Sequence, residues 1–340
     1  MSEKTSDRNS HPSIEKTILA EDFEICRILN GMWQVAGGHG QIDKESAIND
    51  MKKYQKCGFT TWDLADIYGP AESLIGDFRR NIGMKEKFQA LTKFVPNPGP
   101  MSSSIVTHYI DQSLKKMDTD RIDLLQFHWW DYNDVNYLDI LHHLSKLQSE
   151  QKINHLGLTN FDTERVRTII ENGFKIVSNQ VQYSILDQRP QKLMTPFFAK
   201  HGIKILTYGT LLGEFFSEKY LGTDEPHRRE LTTSSMQKYK NMIDVWGGWQ
   251  LFQELLHVLD NIAKNHQCSI ANIATRFILD KPQVAGVIIG TRLGIINHRE
   301  DNAKVFKVKL NSDDISSIDE ITARSNDLFN VIGDCGDEYR

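Results

Sequence analysis

The sequence predicts one α/β domain, a (β/α)8 or TIM barrel, and three observations carry that prediction. Eight short apolar or β-branched runs recur along the 340 residues: Ile25–Met32, Phe59–Asp63, Phe88–Lys93, Ile122–His128, His155–Leu158, Ile176–Gln182, Ile203–Tyr208 and Val284–Ile289. Between them lie segments with helical spacing, such as Ile105, Tyr109, Ile110, Leu114 and Met117, or Leu251, Leu255, Leu259 and Ile262. Strand and helix therefore alternate, which implies right-handed βαβ units on a parallel sheet whose strands are covered on both faces. Finally, the first run is not followed by G-x-G-x-x-G, because Gly37, Gly38 and Gly40 are wrongly spaced for it. A doubly wound open sheet with a dinucleotide fingerprint is thereby disfavoured, and eight units close into a barrel.

Taken in order, the chain opens on a polar leader of mixed charge, residues 1–18, expected to be flexible, with the barrel domain assigned to 19–340. The runs then follow at βαβ spacing until the seventh. After it, Gly209–Gly248 is long and polar and contains the turn Gly222-Thr-Asp-Glu-Pro226, so it reads as a βα loop and a candidate lid before a helix near Trp249. The tail beyond Ile321 ends GDCGDEYR, either a disordered end or a strap across the pocket. No internal repeat or Pro/Gly/Ser linker divides the chain.

Composition excludes several function classes. A net charge of -5 without a basic stripe argues against nucleic acid. No apolar stretch reaches the length of a membrane span, and the leader lacks a signal-peptide core, so a cytoplasmic location is expected. Cys26, Cys57, Cys268 and Cys335 are scattered singly, and His142, His143 and His266 lack ligand spacing, so no metal site is predicted.

The chemistry-bearing residues fall at run ends. Asp63 and Tyr68 lie at and just beyond the second run, Lys93 ends the third and His128 the fourth. A barrel builds its active site at the C-terminal ends of its strands, so these four can converge. Together they suit reduction of a carbonyl by hydride. Oxygen needs a proton as charge develops on it, and Tyr68 can give one if Lys93, held by Asp63, lowers its pKa. His128 would orient the substrate oxygen.

With WDLADIYG, TKF and LLQFHWW in this order and spacing, the sequence resembles the aldo-keto reductase family, whose members carry an Asp, Tyr, Lys, His tetrad on such a barrel. The resemblance runs from about Ile25 to Ile321 and implies NADPH as hydride donor and an aldehyde, ketone or sugar as small-molecule substrate. It further implies that Thr159, Asn160 and Gln180 contact the nicotinamide amide and that Tyr208 stacks on its ring. Gly290, Thr291, Arg292 and Asn302 match the adenosine-phosphate loop and helix, with Arg292, His298 and Arg299 as alternatives for the 2′-phosphate. Trp33 matches a pocket aromatic. The element GMWQVAGGHG and the ending GDCGDEYR point to a less familiar subgroup.

Each residue alone has a plainer explanation: Asp63 a cap, Lys93 a solvated strand end, His128 a core histidine. Four such side chains at consecutive strand ends favour the joint reading. Trp129, in the loop after His128, suits either the substrate pocket or packing beneath neighbouring loops. Two other functions fit the same residues: a nicotinamide-binding regulatory or accessory subunit, and a barrel lyase using Lys93 as a Schiff-base nucleophile. Oligomeric state is left open.

Overall fold

In the computed structural model, residues 13–37, 42–83 and 87–339 are described. Most of the expected leader, together with Gly38, Gly40 and the terminal Arg340, lies outside the described residues. Strands β1 (Lys16–Ala20) and β2 (Phe23–Cys26) form an antiparallel hairpin, and β3 (Ile28–Gly31) opens the barrel. There follow α1 (Lys44–Lys56), β4 (Thr61–Asp63), α2 (Ala71–Ile82), β5 (Gln89–Phe94), α3 (Ser103–Met117), β6 (Ile122–His128) and α4 (Tyr137–Ser149). The second half runs β7 (Ile153–Thr159), α5 (Thr163–Glu171), β8 (Ser178–Gln182), α6 (Met194–His201) and β9 (Lys204–Tyr208). Helices α7 (Ser234–Trp246), α8 (Gly248–His266) and α9 (Ile270–Leu279) separate β9 from β10 (Val284–Gly290). Then come α10 (Arg299–Lys304), α11 (Ser312–Thr322) and α12 (Leu328–Ile332).

Strands β3 to β10 close a parallel barrel, with β10 pairing β3 through Val287–Gly290 beside Ile28–Gly31. All eight expected runs supply a barrel strand. The first run is divided, because Phe23–Cys26 turns back on β1 and only Ile28–Gly31 enters the barrel. Strand β1 thus lies partly inside the segment expected as leader, starting at Lys16. The reason is apolar: Leu19, Phe23 and Ile25 are buried against Leu29, Leu91, Leu124, Leu206 and Ala285, which face inward near the strands' N-terminal ends. The hairpin therefore plugs that end and leaves the opposite rim for chemistry.

The helices begin where short polar side chains can cap them. Asp43, Ser102, Asp162, Thr233, Ser269 and Asn311 each accept a backbone N–H from the first turn of α1, α3, α5, α7, α9 and α11. Among the described residues no helix is long and apolar enough to cross a membrane.

Two irregular segments carry more structure than a loop or a free end. Gly209–Gly248 is no open loop: it holds three short 3-10 turns and the 13-residue helix α7. Met236, Tyr239, Met242, Ile243 and Trp246 form a buried face on α7 that its interspersed Ser, Gln, Lys and Asp residues conceal in the sequence. The C-terminal tail is no frayed end either. Thr163 N donates to Asp334 Oδ2 at 2.8 Å, Arg189 Nη1 donates to the Asp334 carbonyl at 3.0 Å, and Cys335 is buried.

Gly76 shows how closely the outer helices pack. A Cβ there would lie 2.2 Å from the Lys116 carbonyl oxygen at the end of α3. Ala ordinarily gains about 1 kcal/mol over Gly inside a helix. Overlap with backbone that cannot rotate away costs roughly 1–3 kcal/mol. Gly76→Ala is therefore expected to lower the thermal midpoint despite its better helix propensity, and a midpoint unchanged or raised would contradict this close approach.

Candidate active site

The C-terminal ends of the strands bring the chemistry-bearing side chains to one rim. Asp63 closes β4, and its neighbours place it at the centre of a buried polar knot. Lys93 Nζ donates to Asp63 Oδ2 at 2.6 Å and to the Leu64 carbonyl at 3.1 Å. Gln126 Nε2 and Gln180 Nε2 donate to Asp63 Oδ1 at 2.9 and 2.7 Å, and Gln180 Nε2 also donates to Gln126 Oε1 at 2.7 Å. The Lys93 and Asp63 side chains are only 3% and 4% exposed. Burial lowers the Lys93 pKa, and the adjacent Asp63 carboxylate opposes that fall.

Tyr68 sits in the loop after β4, with Lys93 Nζ 5.2 Å from its ring centroid. Trp33, 42% exposed, meets that ring edge-on at 5.0 Å. The expectation that Lys93 lowers the phenol's pKa does not hold in this arrangement. Desolvation, then the negative charges of Asp63 and Asp66, push it well above its ordinary value. Lys93 directs its hydrogens at Asp63 and the Leu64 carbonyl, and reaches Tyr68 only over the ring.

His128 belongs to an adjoining set. Asn160 Nδ2 lies 3.4 Å from His128 Nε2, and since an amide nitrogen can only donate, that contact makes Nε2 the acceptor. Tyr208 OH donates to Asn160 Oδ1 at 2.9 Å, and Tyr132 OH donates to the Asn160 carbonyl at 2.8 Å. Asn160 is held at φ 57°, a left-handed conformation that Asn tolerates better than most residues. Trp130 stacks on His128 with ring centroids 4.1 Å apart. Trp129, by contrast, is wholly buried against Phe127 and donates its indole N–H to the Asp134 carbonyl at 2.9 Å. Of the two readings of Trp129, packing beneath the loop is the one the structure supports, and its neighbour Trp130 is the tryptophan placed over the histidine.

Further round the rim, the residues expected to hold a cofactor divide. Thr159 Oγ1 and Arg292 Nε are buried without a hydrogen-bond partner, as is Gln34 Oε1 beside Gly290. Such orphans are costly unless something binds them. Thr291 Oγ1 instead donates to the Gly31 carbonyl at 2.8 Å, tying β10 to β3. Asn302 is buried on α10 and donates its backbone N–H to the His298 carbonyl. Arg299 pairs with Asp50 and lies over the Tyr54 ring at 5.1 Å, so its guanidinium is already engaged. Gln180 has both amide hydrogens committed to Asp63 and Gln126, so it can offer a ligand only its carbonyl oxygen.

Two side chains of the site escaped sequence reasoning. Gln126 is one, although a single polar residue two positions before His128 in an apolar strand faces the same side and was a usable signal. Asp66 is another, described below. The tail also reaches the site: Glu338 Oε2 lies 3.0 Å from Arg189 Nη2, and Tyr208 OH is 3.5 Å from Glu338 Oε1. Of the two alternatives for the tail, this is the strap, and it reaches the Tyr208–Asn160 pair. Among the described residues no group of three or more His, Cys, Asp or Glu side chains could hold a metal ion.

Comparison with known proteins bears on this rim. The model of the aldo/keto reductase family matches residues 27–323. Over 299 residues the chain is 22% identical to an NADH-specific methylglyoxal reductase of Escherichia coli (strain K12), covering 79% of this chain and 86% of that one. It is 25% identical to flagellar radial spoke protein 5 of Chlamydomonas reinhardtii over 64% of its length, and spans about half (49%) of that longer protein. An aldo/keto reductase from Klebsiella pneumoniae, solved with NADP and acetate, shares the fold at a TM-score of 0.68 and 18% identity, covering 89% of this chain and 93% of that one.

Proposed function

The chain belongs to the aldo/keto reductase family, and from that premise we propose that it reduces an aldehyde, ketone or sugar carbonyl with NADPH, Tyr68 giving the proton. The observation that carries the reading is the desolvated Lys93–Asp63 pair set against the Tyr68 ring on the barrel's C-terminal rim. A bound nicotinamide would supply the hydride to the carbonyl carbon. The protein's own groups then have to hold the carbonyl, keep water out and deliver one proton to its oxygen. Tyr68, its hydroxyl desolvated, stays protonated at neutral pH and so arrives at the reaction in the donor form. Lys93, anchored by Asp63 and the Leu64 carbonyl, holds positive charge beside the forming phenolate. His128, beneath Trp130, would orient the oxygen by an Nε2–H donor once a substrate displaces the Asn160 amide and the ring proton moves to Nε2.

A nicotinamide dinucleotide fits the residues present. The unpartnered Thr159 hydroxyl suits a carboxamide and the free Nε of Arg292 suits a phosphate, while the Tyr208 ring, with Lys238 Nζ 5.3 Å from its centroid, would stack on the nicotinamide by its opposite face. NADPH preference rests on Arg292, since the Klebsiella neighbour holds NADP whereas the Escherichia relative is NADH-specific. A Schiff-base role for Lys93 is less well supported, because two of its three ammonium hydrogens are already engaged. An accessory-subunit role is less well supported, because the Asp63–Lys93 pair, the Tyr68 ring and His128 all lie at this rim.

Fluorescence titration with NADPH and NADH, followed by a panel of aldehydes and sugars, tests the reading. Substrate-dependent loss of cofactor absorbance is expected, and binding of neither cofactor would overturn it. Arg292→Leu is expected to weaken NADPH about 10- to 100-fold, the worth of a charge-assisted hydrogen bond, while leaving NADH nearly unchanged. Equal losses for both cofactors would move the phosphate ligand elsewhere.

A further inference from the structure

We infer that Asp66 is a positioning residue for the proton donor: a carboxylate fixed between the ends of β4 and β5 whose protonation sets how readily Tyr68 gives up its proton. This rests on the reductase reading above. Asp66 lies two residues before Tyr68, and it stitches the Tyr68 loop to the strand that carries Lys93. Its backbone N–H donates to the Lys93 carbonyl at 3.1 Å, and its Oδ2 accepts the Val95 N–H at 3.2 Å. Its other oxygen, Oδ1, is buried and has no hydrogen-bond partner. A desolvated acceptor with nothing to accept is the arrangement that a carboxylate relieves by taking a proton.

The charged groups around it can be named element by element. From α2 comes Glu72, 1% exposed, which accepts Thr92 Oγ1 at 2.8 Å. From α3 comes Lys116, paired with Glu72 at 3.3 Å. From β5 and the rim come Lys93, Asp63 and Tyr68. Burial and the nearby Glu72 push the Asp66 carboxyl up to about 6, against the pull of the Val95 and Ile67 amides and Lys116. The ionised Asp66 in turn favours the Lys93 ammonium and opposes the Tyr68 phenolate.

The consequence has a definite sign. Below about pH 6 Asp66 is neutral, one of two negative charges facing the phenol is gone, and Tyr68 is the stronger acid. Above it the carboxylate returns and proton donation slows. The device thus makes carbonyl reduction faster in mildly acidic conditions while the Lys93–Asp63 hydrogen bond stays in place.

The test compares the parent chain with Asp66→Asn, which keeps an acceptor for the Val95 amide but cannot ionise, and with Glu72→Gln, which leaves Asp66 in place. For kcat at saturating carbonyl between pH 5 and 8, the parent is expected to fall roughly 3- to 10-fold through an inflection near 6. Asp66→Asn should lose that inflection, and Glu72→Gln should move it to lower pH. A merely structural Asp66 would lower kcat equally at every pH. The cofactor-free protein gives an independent readout. A carboxyl whose folded pKa lies above its unfolded value costs stability as pH rises between the two, so Asp66→Asn should gain in Tm over the parent between about pH 4 and 6 and hold that gain above. An active parent whose inflection survives both substitutions, or Tm curves that run parallel from pH 4 to 6.5, would overturn the role of Asp66 alone. A parent that oxidises NADPH with no carbonyl would overturn the reductase reading, and this inference with it.

Discussion

Lys93→Met is expected to cost both activity and stability. In the parent, Asp63 takes one cation and two amide donors within a site that solvent hardly reaches. Removing the cation leaves a buried carboxylate with Gln126 and Gln180 alone, and breaking a buried pair from one side typically costs about 3–5 kcal/mol. Removing the second charge as well distinguishes this cause from lost packing. Asp63→Asn combined with Lys93→Met removes both charges, and should be more stable than Lys93→Met by itself, a coupling that a double-mutant cycle measures. Reduction should fall roughly 10²–10⁴-fold in either variant, because charge beside the forming phenolate is lost. A stable Lys93→Met protein with most of its turnover would mean that the Asp63–Lys93 pair is not part of the chemistry.

The barrel was legible because its strands are covered on both faces: runs such as Ile122–His128 are dominated by apolar residues and turn polar toward the rim. The same logic marked Asp63, Lys93 and His128, polar residues at the ends of apolar runs. What the run ends could not show was how those residues are wired. Gln180 appeared as a ligand contact, yet its amide turns inward to Asp63 across the barrel, a pairing 117 positions apart in sequence that no local pattern encodes. Trp129 and Trp130 are indistinguishable by composition, and strand alternation at the end of β6 decides which faces the core and which the histidine. Helix α7 was hidden because its apolar face is Met and aromatic, diluted by polar neighbours. The tail's order depends on Arg189 meeting Asp187 and Glu338, ion pairs that exist only once the chain has folded back on itself.

Tyr68→Phe is expected to abolish turnover while leaving cofactor affinity unchanged. The substitution removes one hydroxyl and keeps the ring that packs edge-on against Trp33 and beneath Lys93. None of the groups assigned to the dinucleotide, from Thr159 round to Arg292, depends on that hydroxyl for its position. The loss should therefore appear in kcat and kcat/KM alike, the pattern of an interaction made only in the transition state, at about 10²–10⁴-fold or beyond. Because the phenol is held above its ordinary pKa, the parent's own proton donation should not fail through premature ionisation of Tyr68 anywhere up to pH 9. An alkaline fall in activity would then have to come from another group. Retention of most turnover in Tyr68→Phe would move the proton donor to another group on the rim, and a subsequent His128→Gln variant would test His128 in that role.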